Sequence, residues 1–426
     1  MKNLITLLLF CLAGAASAQE SRSILLLNGY LHIGNGEVIE SAFIGIREGK
    51  IAELKNSLAT SFSREEWDTI VDLMGKHVYP GFIAPNSTLG LTEIDAVRAT
   101  RDFQEVGVFN PHIRSQIAFN AESDVIATVR SNGVLITQAT PRGGDISGTS
   151  SAMMLHGWNW EDATILKDDG IHVNWPSSLQ GGGWWAEPEP KKRNEHYESQ
   201  KRELIRFFEM AKAYTKANKP EFDQRLEAMK ACFKGTKRVY FHANELQQLL
   251  DVIDLAKALE LQFPVIIGGY DSHLLGRRLL DSGIPVMVQR IHSLPENDDD
   301  PIDLPFRLPA LLQEQGVKFC IQNAGDMEAM NARNLPFQAG TAMAYGLTPE
   351  QAVRAISLSA AEIIGIDKEF GSIEIGKSAT LFVSEGPAMD IRTNKITHLL
   401  VKGQFISPDN FQTELYRKYS EKYSEK

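Results

Sequence analysis

Val78-Tyr79-Pro80-Gly81-Phe82-Ile83-Ala84-Pro85-Asn86-Ser87-Thr88-Leu89-Gly90 divides the sequence into two kinds of chain. Before Pro80-Gly81, short apolar stretches are broken by turns that contain glycine. Ile24-Leu25-Leu26-Leu27 precedes Asn28-Gly29, and Ala42-Phe43-Ile44-Gly45-Ile46 precedes Glu48-Gly49-Lys50. Ile51-Ala52-Glu53-Leu54 and the stretch 69–79 add further strand-like residues. This pattern predicts hairpins, and so a small β unit over 19–80.

After Gly81 the period changes. Residues 120–132 predict a helix with Val125, Ile126 and Val129 as its apolar stripe and Gly133 as its stop. Strands are expected at 134–137, 238–242, 264–267, 285–288 and 317–321, with helices after most of them, and two more helices between Asn334 and Ile364. Alternation at this spacing argues for a parallel sheet over 81–365, long enough for a barrel. Residues 181–233 interrupt the rhythm with Gly181-Gly182-Gly183-Trp184-Trp185, a charged stretch and a long helical pattern over 197–233, which reads as an insertion. Strand character returns over 366–410, and 411–426 reads as a charged tail.

Bulk properties exclude several classes. The 426 residues are 43% hydrophobic and 23% charged, ordinary for a globular protein. A net charge of −10 disfavours nucleic acid as a partner, since that partner requires a basic footprint. Lys2, an apolar run over 4–16 and Ala16-Ser17-Ala18 fit a signal peptide over 1–18. The run is short for a membrane span and no later run is longer, so an exported, soluble protein is expected, periplasmic or extracellular. Cys232 and Cys320 make no disulfide framework, and Cys320 lies in an apolar run that predicts a buried free thiol.

Several stretches, in order, carry a resemblance. They are Asn28-Gly29, Gly49-Lys50-Ile51, the Val78–Ile83 segment, Asn331-Ala332-Arg333-Asn334-Leu335-Pro336-Phe337-Gln338-Ala339-Gly340, Tyr345-Gly346-Leu347-Thr348-Pro349-Glu350 and Gly371-Ser372-Ile373-Glu374-Ile375-Gly376-Lys377-Ser378-Ala379. Together they resemble the amidohydrolase superfamily, most closely its exported, imidazolonepropionase-like members. The resemblance implies an α/β fold: a (β/α)8 TIM-like barrel plus a small β-sandwich built from both chain ends. It also implies hydrolysis of non-peptide carbon–nitrogen bonds by one or two divalent metals. Such metals acidify a bound water and are held at the C-terminal ends of barrel strands.

The family's hallmark is a His-x-His pair, which a regular strand would place on one face. Here Asn86 and Thr88 stand at those positions, and their amide and hydroxyl are poor zinc ligands. His242 matches the family's ligand on a middle strand, and His273 is the candidate on the next. Asp326 is the candidate for the catalytic carboxylate, while His292, Asn86 and Thr88 are candidates for substrate contact. His156-Gly157-Trp158-Asn159-Trp160 offers an aromatic wall, Asp298-Asp299-Asp300 a solvated turn, and Lys167-Asp168-Asp169 a surface turn. Nucleotide-loop, serine-elbow and paired-cysteine motifs are absent. For the cofactor, a single divalent metal such as zinc and no metal at all stay open. Two functions stay open with them: a hydrolase of non-peptide C–N bonds, or an inactive relative that binds a small molecule or serves as partner subunit of an active amidohydrolase. The oligomeric state, homo- or hetero-, is open too, and so is a barrel with no retained small-molecule role.

Overall fold

The computed structural model describes residues 23–184 and 187–424, so the signal-peptide expectation at 1–18 and Trp185 lie outside the described residues. The first strands are β1 Ile24–His32, β2 Val38–Arg47, β3 Lys50–Asn56, β4 Thr69–Asp72 and β5 His77–Pro80. β1 organises them. It pairs antiparallel with β2, parallel with β4 along Ile24–Leu27, and parallel with β5 at Tyr30 and Leu31. Alternation splits its side chains between two faces. Ile24 and Leu26 join one apolar cluster with Ile44, Leu381 and Val383, and Leu25 and Leu27 join another with Phe43 and Trp67.

The second sheet begins one residue past β5, beyond Gly81. Its members are β6 Phe82–Ser87, β7 Val134–Ala139, β8 Ile146–Met154, β9 Thr164–Asn174, β12 Arg238–Ala243, β13 Pro264–Gly268, β14 Val286–Val288 and β15 Phe319–Ile321, hydrogen-bonded in that order. β10 Leu179–Trp184 and β11 Glu187–Arg193 pair only with each other. The sheet is an almost closed barrel. Its edges do not pair; Ile83 N donates instead to Ile356 O at 2.9 Å, just before the helix Leu358–Ile364.

One strand departs from the expected all-parallel barrel. β8 runs antiparallel to both β7 and β9. The cause is local. A parallel crossover needs about a dozen residues or more, and 140–145 is too short for one. Its Pro141-Arg142-Gly143-Gly144 makes a hairpin instead, with φ of +86° and +64° at the two glycines. A Cβ on Gly144 would meet the Val108 carbonyl at 2.7 Å, so the turn requires glycine on space as well as on φ.

The insertion after β11 is two helices, Tyr197–Lys216 and Gln224–Phe233, not the continuous helical pattern expected. Asp223 stops the run by capping Arg225 N and Leu226 N at 2.8 and 3.2 Å. The chain then rejoins the first sheet through β16 Leu381–Ser384, β17 Ile396–Val401 and β18 Gln404–Ile406. All eight strands from the two chain ends belong to one hydrogen-bonded sheet, where two facing sheets were expected. The expected charged tail contains the helix Phe411–Ser424, held to the helix Asp124–Arg130 by Thr128 Oγ1 donating to Gln412 Oε1 at 3.0 Å. Cys232 and Cys320 are buried and unpaired, and burial pushes the Cys232 thiol up to about 12. Among the described residues no helix is long and apolar enough to cross a membrane.

Candidate functional site

The C-terminal ends of the parallel strands open onto a cavity of about 780 Å³. Asn86 near the end of β6, Thr88 just past it, His242 on β12 and Asp326 after β15 all line it, so four of the sequence candidates meet there. The strand does not run regularly through the first pair. Asn86 takes φ +50°, which asparagine tolerates better than most residues, and the β6–β7 register shifts between Ala84 and Ser87. The same-face argument for residues 86 and 88 therefore does not apply.

The group that organises this mouth is Arg142, which the sequence reading missed. The β7–β8 hairpin carries it to the cavity, where Nη1 donates to Asn86 Oδ1 and Nη2 to Asn86 O, each at 2.9 Å. Nη2 also meets both carboxylate oxygens of Glu328, at 2.9 and 3.1 Å. Glu328 Oε2 takes a further bond from Gly325 N at 3.0 Å. Asn86 N donates to Gln138 Oε1 at 3.0 Å, so both ends of Asn86 are fixed.

A second network, also missed, runs inside the barrel behind His242. Asp169 accepts from Ser150 Oγ at 2.8 Å, Gln138 Nε2 at 2.7 Å and the Tyr240 hydroxyl at 2.6 Å. Since Ser150 donates to Asp169, it accepts from His172 Nε2 at 2.9 Å. His172 Nδ1 then accepts from His242 Nε2 at 3.0 Å. This fixes the His242 tautomer: the proton sits on Nε2, and Nδ1 keeps its lone pair with no hydrogen-bond partner among the described residues. Burial, then the nearby Arg142 charge, lowers the His242 pKa to about 3, and burial pushes His172 well below its ordinary value. Both rings are neutral in the fold.

The remaining candidates lie elsewhere. His273 sits in the 3-10 turn Tyr270–Leu275 with Nδ1 3.3 Å from Tyr270 O, away from the cavity lining, because two positive-φ glycines, Gly268 and Gly269, carry the chain off after β13. His292 Nε2 is spent on Thr341 Oγ1 at 2.7 Å, also outside the lining. The expected aromatic wall at 156–160 follows β8, whose reversed direction carries it to the other end of the barrel, and Trp158 is 89% exposed. Asp300 accepts from the Tyr270 hydroxyl and Asn297 N, as a turn acid does. Asp169, expected on a surface turn, is buried within β9.

The sequence pattern of the amidohydrolase family matches residues 194–406, half of the chain. This chain belongs to the amidohydrolase family. An amidohydrolase from Thermotoga maritima MSB8 superposes with a TM-score of 0.77 at 20% identity, over 90% of this chain and 99% of that one. A Xaa-Pro dipeptidase gives 0.55 at 14%, over 90% and 100%. An adenosine deaminase from Xanthomonas campestris gives 0.52 at 12%, over 94% and 98%. At these identities the likeness is one of fold. No curated protein matches the sequence.

A divalent metal, which the amidohydrolase family implies, does not fit the residues at this mouth. No group of three or more His, Cys, Asp or Glu side chains among the described residues is arranged to hold one. Asn86 Oδ1 and both Glu328 oxygens are already taken by a guanidinium, whose fixed charge opposes a second cation.

The two neutral histidines give a pH dependence. In the unfolded chain each ring protonates below about 6.5; in the fold it does so only at much lower pH. The unfolded state therefore binds more protons as pH falls, and stability present above pH 6.5 is lost on the way down. Both rings act in the same direction in that window. Asp169, its pKa raised by burial, opposes this once it takes a proton. The net expectation is a lower urea midpoint at pH 5 than at pH 7.5. Equal midpoints at pH 7.5 and 5 would contradict neutral rings.

Proposed function

We propose that this amidohydrolase-family protein is an exported, metal-free binder of a small molecule in its barrel mouth, a relative that has exchanged its metal site for a fixed ion pair. The observation that carries the reading is the Arg142 guanidinium, clamped between Asn86 and Glu328 beside His242. The replacement of the expected His-x-His pair by Asn86 and Thr88 agrees with it. Function as partner subunit to an active amidohydrolase is compatible with the same site.

A second reading, hydrolysis of non-peptide C–N bonds, is favoured by one observation. His242 lines the cavity with a free Nδ1 and is neutral at physiological pH, so it can accept a proton from water. Without a metal that water keeps a pKa near 15.7 instead of about 7. A general base returns only about 10²–10⁴-fold, and one with so low a pKa lies at the weak end. This reading therefore confines turnover to activated substrates.

The experiment is a turnover panel of amides, lactams and activated esters, with added zinc and with chelator. The binding reading expects no amide or lactam turnover under either condition. Chelator-sensitive turnover of any of them would refute it.

A further inference from the structure

The mouth cavity carries an uncompensated negative charge and an unused buried hydroxyl, and these say what it holds. Four carboxylates line it, Glu93, Asp95, Asp326 and Glu328, against two cations, Arg101 and Arg142. Glu328 is spent on Arg142, and Glu93 accepts from Asn120 Nδ2 and Ser123 Oγ at 2.9 and 2.8 Å. Asp95 and Asp326 accept no side-chain hydrogen bond from any described residue, while burial and the charges of Glu328 and Asp326 raise the Asp95 carboxyl against the opposing pull of Arg101. The second observation is independent of charge. Thr88 lines the same cavity, is 2% exposed, and its Oγ1 has no hydrogen-bond partner. A buried hydroxyl without a partner is destabilising unless something binds it. Ile94, Phe103 and Met330 supply an apolar wall.

We infer that the ligand is a primary amine on an apolar body, with its ammonium at Asp95 and Asp326 and its polar groups on Thr88 Oγ1 and His242 Nδ1. This rests on the reading of the mouth as a metal-free binding site. An ammonium relieves the repulsion among the carboxylates, and only a neutral histidine offers the lone pair.

The test is calorimetric titration of the full chain with three probes that share an apolar body: phenethylamine, N-acetylphenethylamine and 3-phenylpropionate. Phenethylamine is expected to bind at least about tenfold more tightly than either of the others. The double variant D95N/D326N, at a half-buried and an exposed position that should leave folding intact, is expected to lose about tenfold for the amine. Thr88→Val is expected to raise the melting temperature of the free protein while weakening the amine several-fold, a combination a purely structural hydroxyl would not give. Equal or tighter binding of the neutral or anionic probe, binding by none of the three, or an indifferent D95N/D326N variant would overturn the amine assignment while leaving the metal-free mouth standing. Stoichiometric displacement of the amine by zinc would overturn the metal-free mouth itself.

Discussion

Arg142→Ala is expected to destabilise the protein by about 3–5 kcal/mol, read as a lower denaturant midpoint at pH 7.5. The magnitude follows from what is left behind. The Glu328 side chain is only 10% exposed, and its carboxylate would keep one backbone donor, Gly325 N, and lose its counter-charge. Removing one member of a buried pair costs far more than the pair contributes net, because the abandoned charge remains desolvated. Asn86 O and Oδ1 would lose their donors in the same step. Adding Glu328→Gln should recover much of the loss, since the stranded charge then disappears. A cost under about 1 kcal/mol, the range of exposed ion pairs, would mean that the guanidinium is not built into the mouth.

Asp169→Ala is the second large effect, expected to cost at least about 3 kcal/mol. Three donors lose their acceptor within the barrel: the Tyr240 hydroxyl, Gln138 Nε2 and Ser150 Oγ. Each unsatisfied buried group costs about 1–3 kcal/mol, and water has little access to replace the carboxylate, since Asp169 is 3% exposed. Asp169→Asn should cost less, because one oxygen still accepts. The same variant tests the relay. With Ser150 free to turn and donate to His172, the tautomers of His172 and His242 lose their constraint, and ring ¹⁵N shifts should move from an Nε2–H pattern to a mixture. Unchanged shifts in Asp169→Ala would show that the ring orientation of His242 is held some other way.

Much of this architecture was legible because the signals are local. Pro80-Gly81 marks the passage from β5 to β6, and the apolar run before His242 puts that residue at the mouth end of β12. Asn86 and Thr88 reached the cavity by position alone, although the backbone turn at Asn86 was invisible in a pattern that assumes regular alternation. What stayed hidden depended on a single topological event. Reversal of β8 brings Arg142 into the mouth, carries Trp158 away from it, and places Asp169 and His172 inside the barrel. The signal for it was present: Pro141-Arg142-Gly143-Gly144 between two apolar stretches is a hairpin turn. Lys167-Asp168-Asp169 looked like a surface turn because Asp168, at φ +54° and 2.7 Å from Arg114 Nε, does behave as one; its neighbour does not. The paths of His273 and His292 were set by loop conformation, which residue spacing does not encode.

On the reading proposed above, a guanidinium and not a metal occupies the heart of this amidohydrolase mouth. Elemental analysis of the purified protein, after equilibration with excess zinc and desalting, tests it most directly. Zinc, manganese and iron are predicted to be far below one equivalent per chain, in the wild type and in His242→Ala alike. One tightly held equivalent, lost on His242→Ala, would mean that the mouth is a metal site.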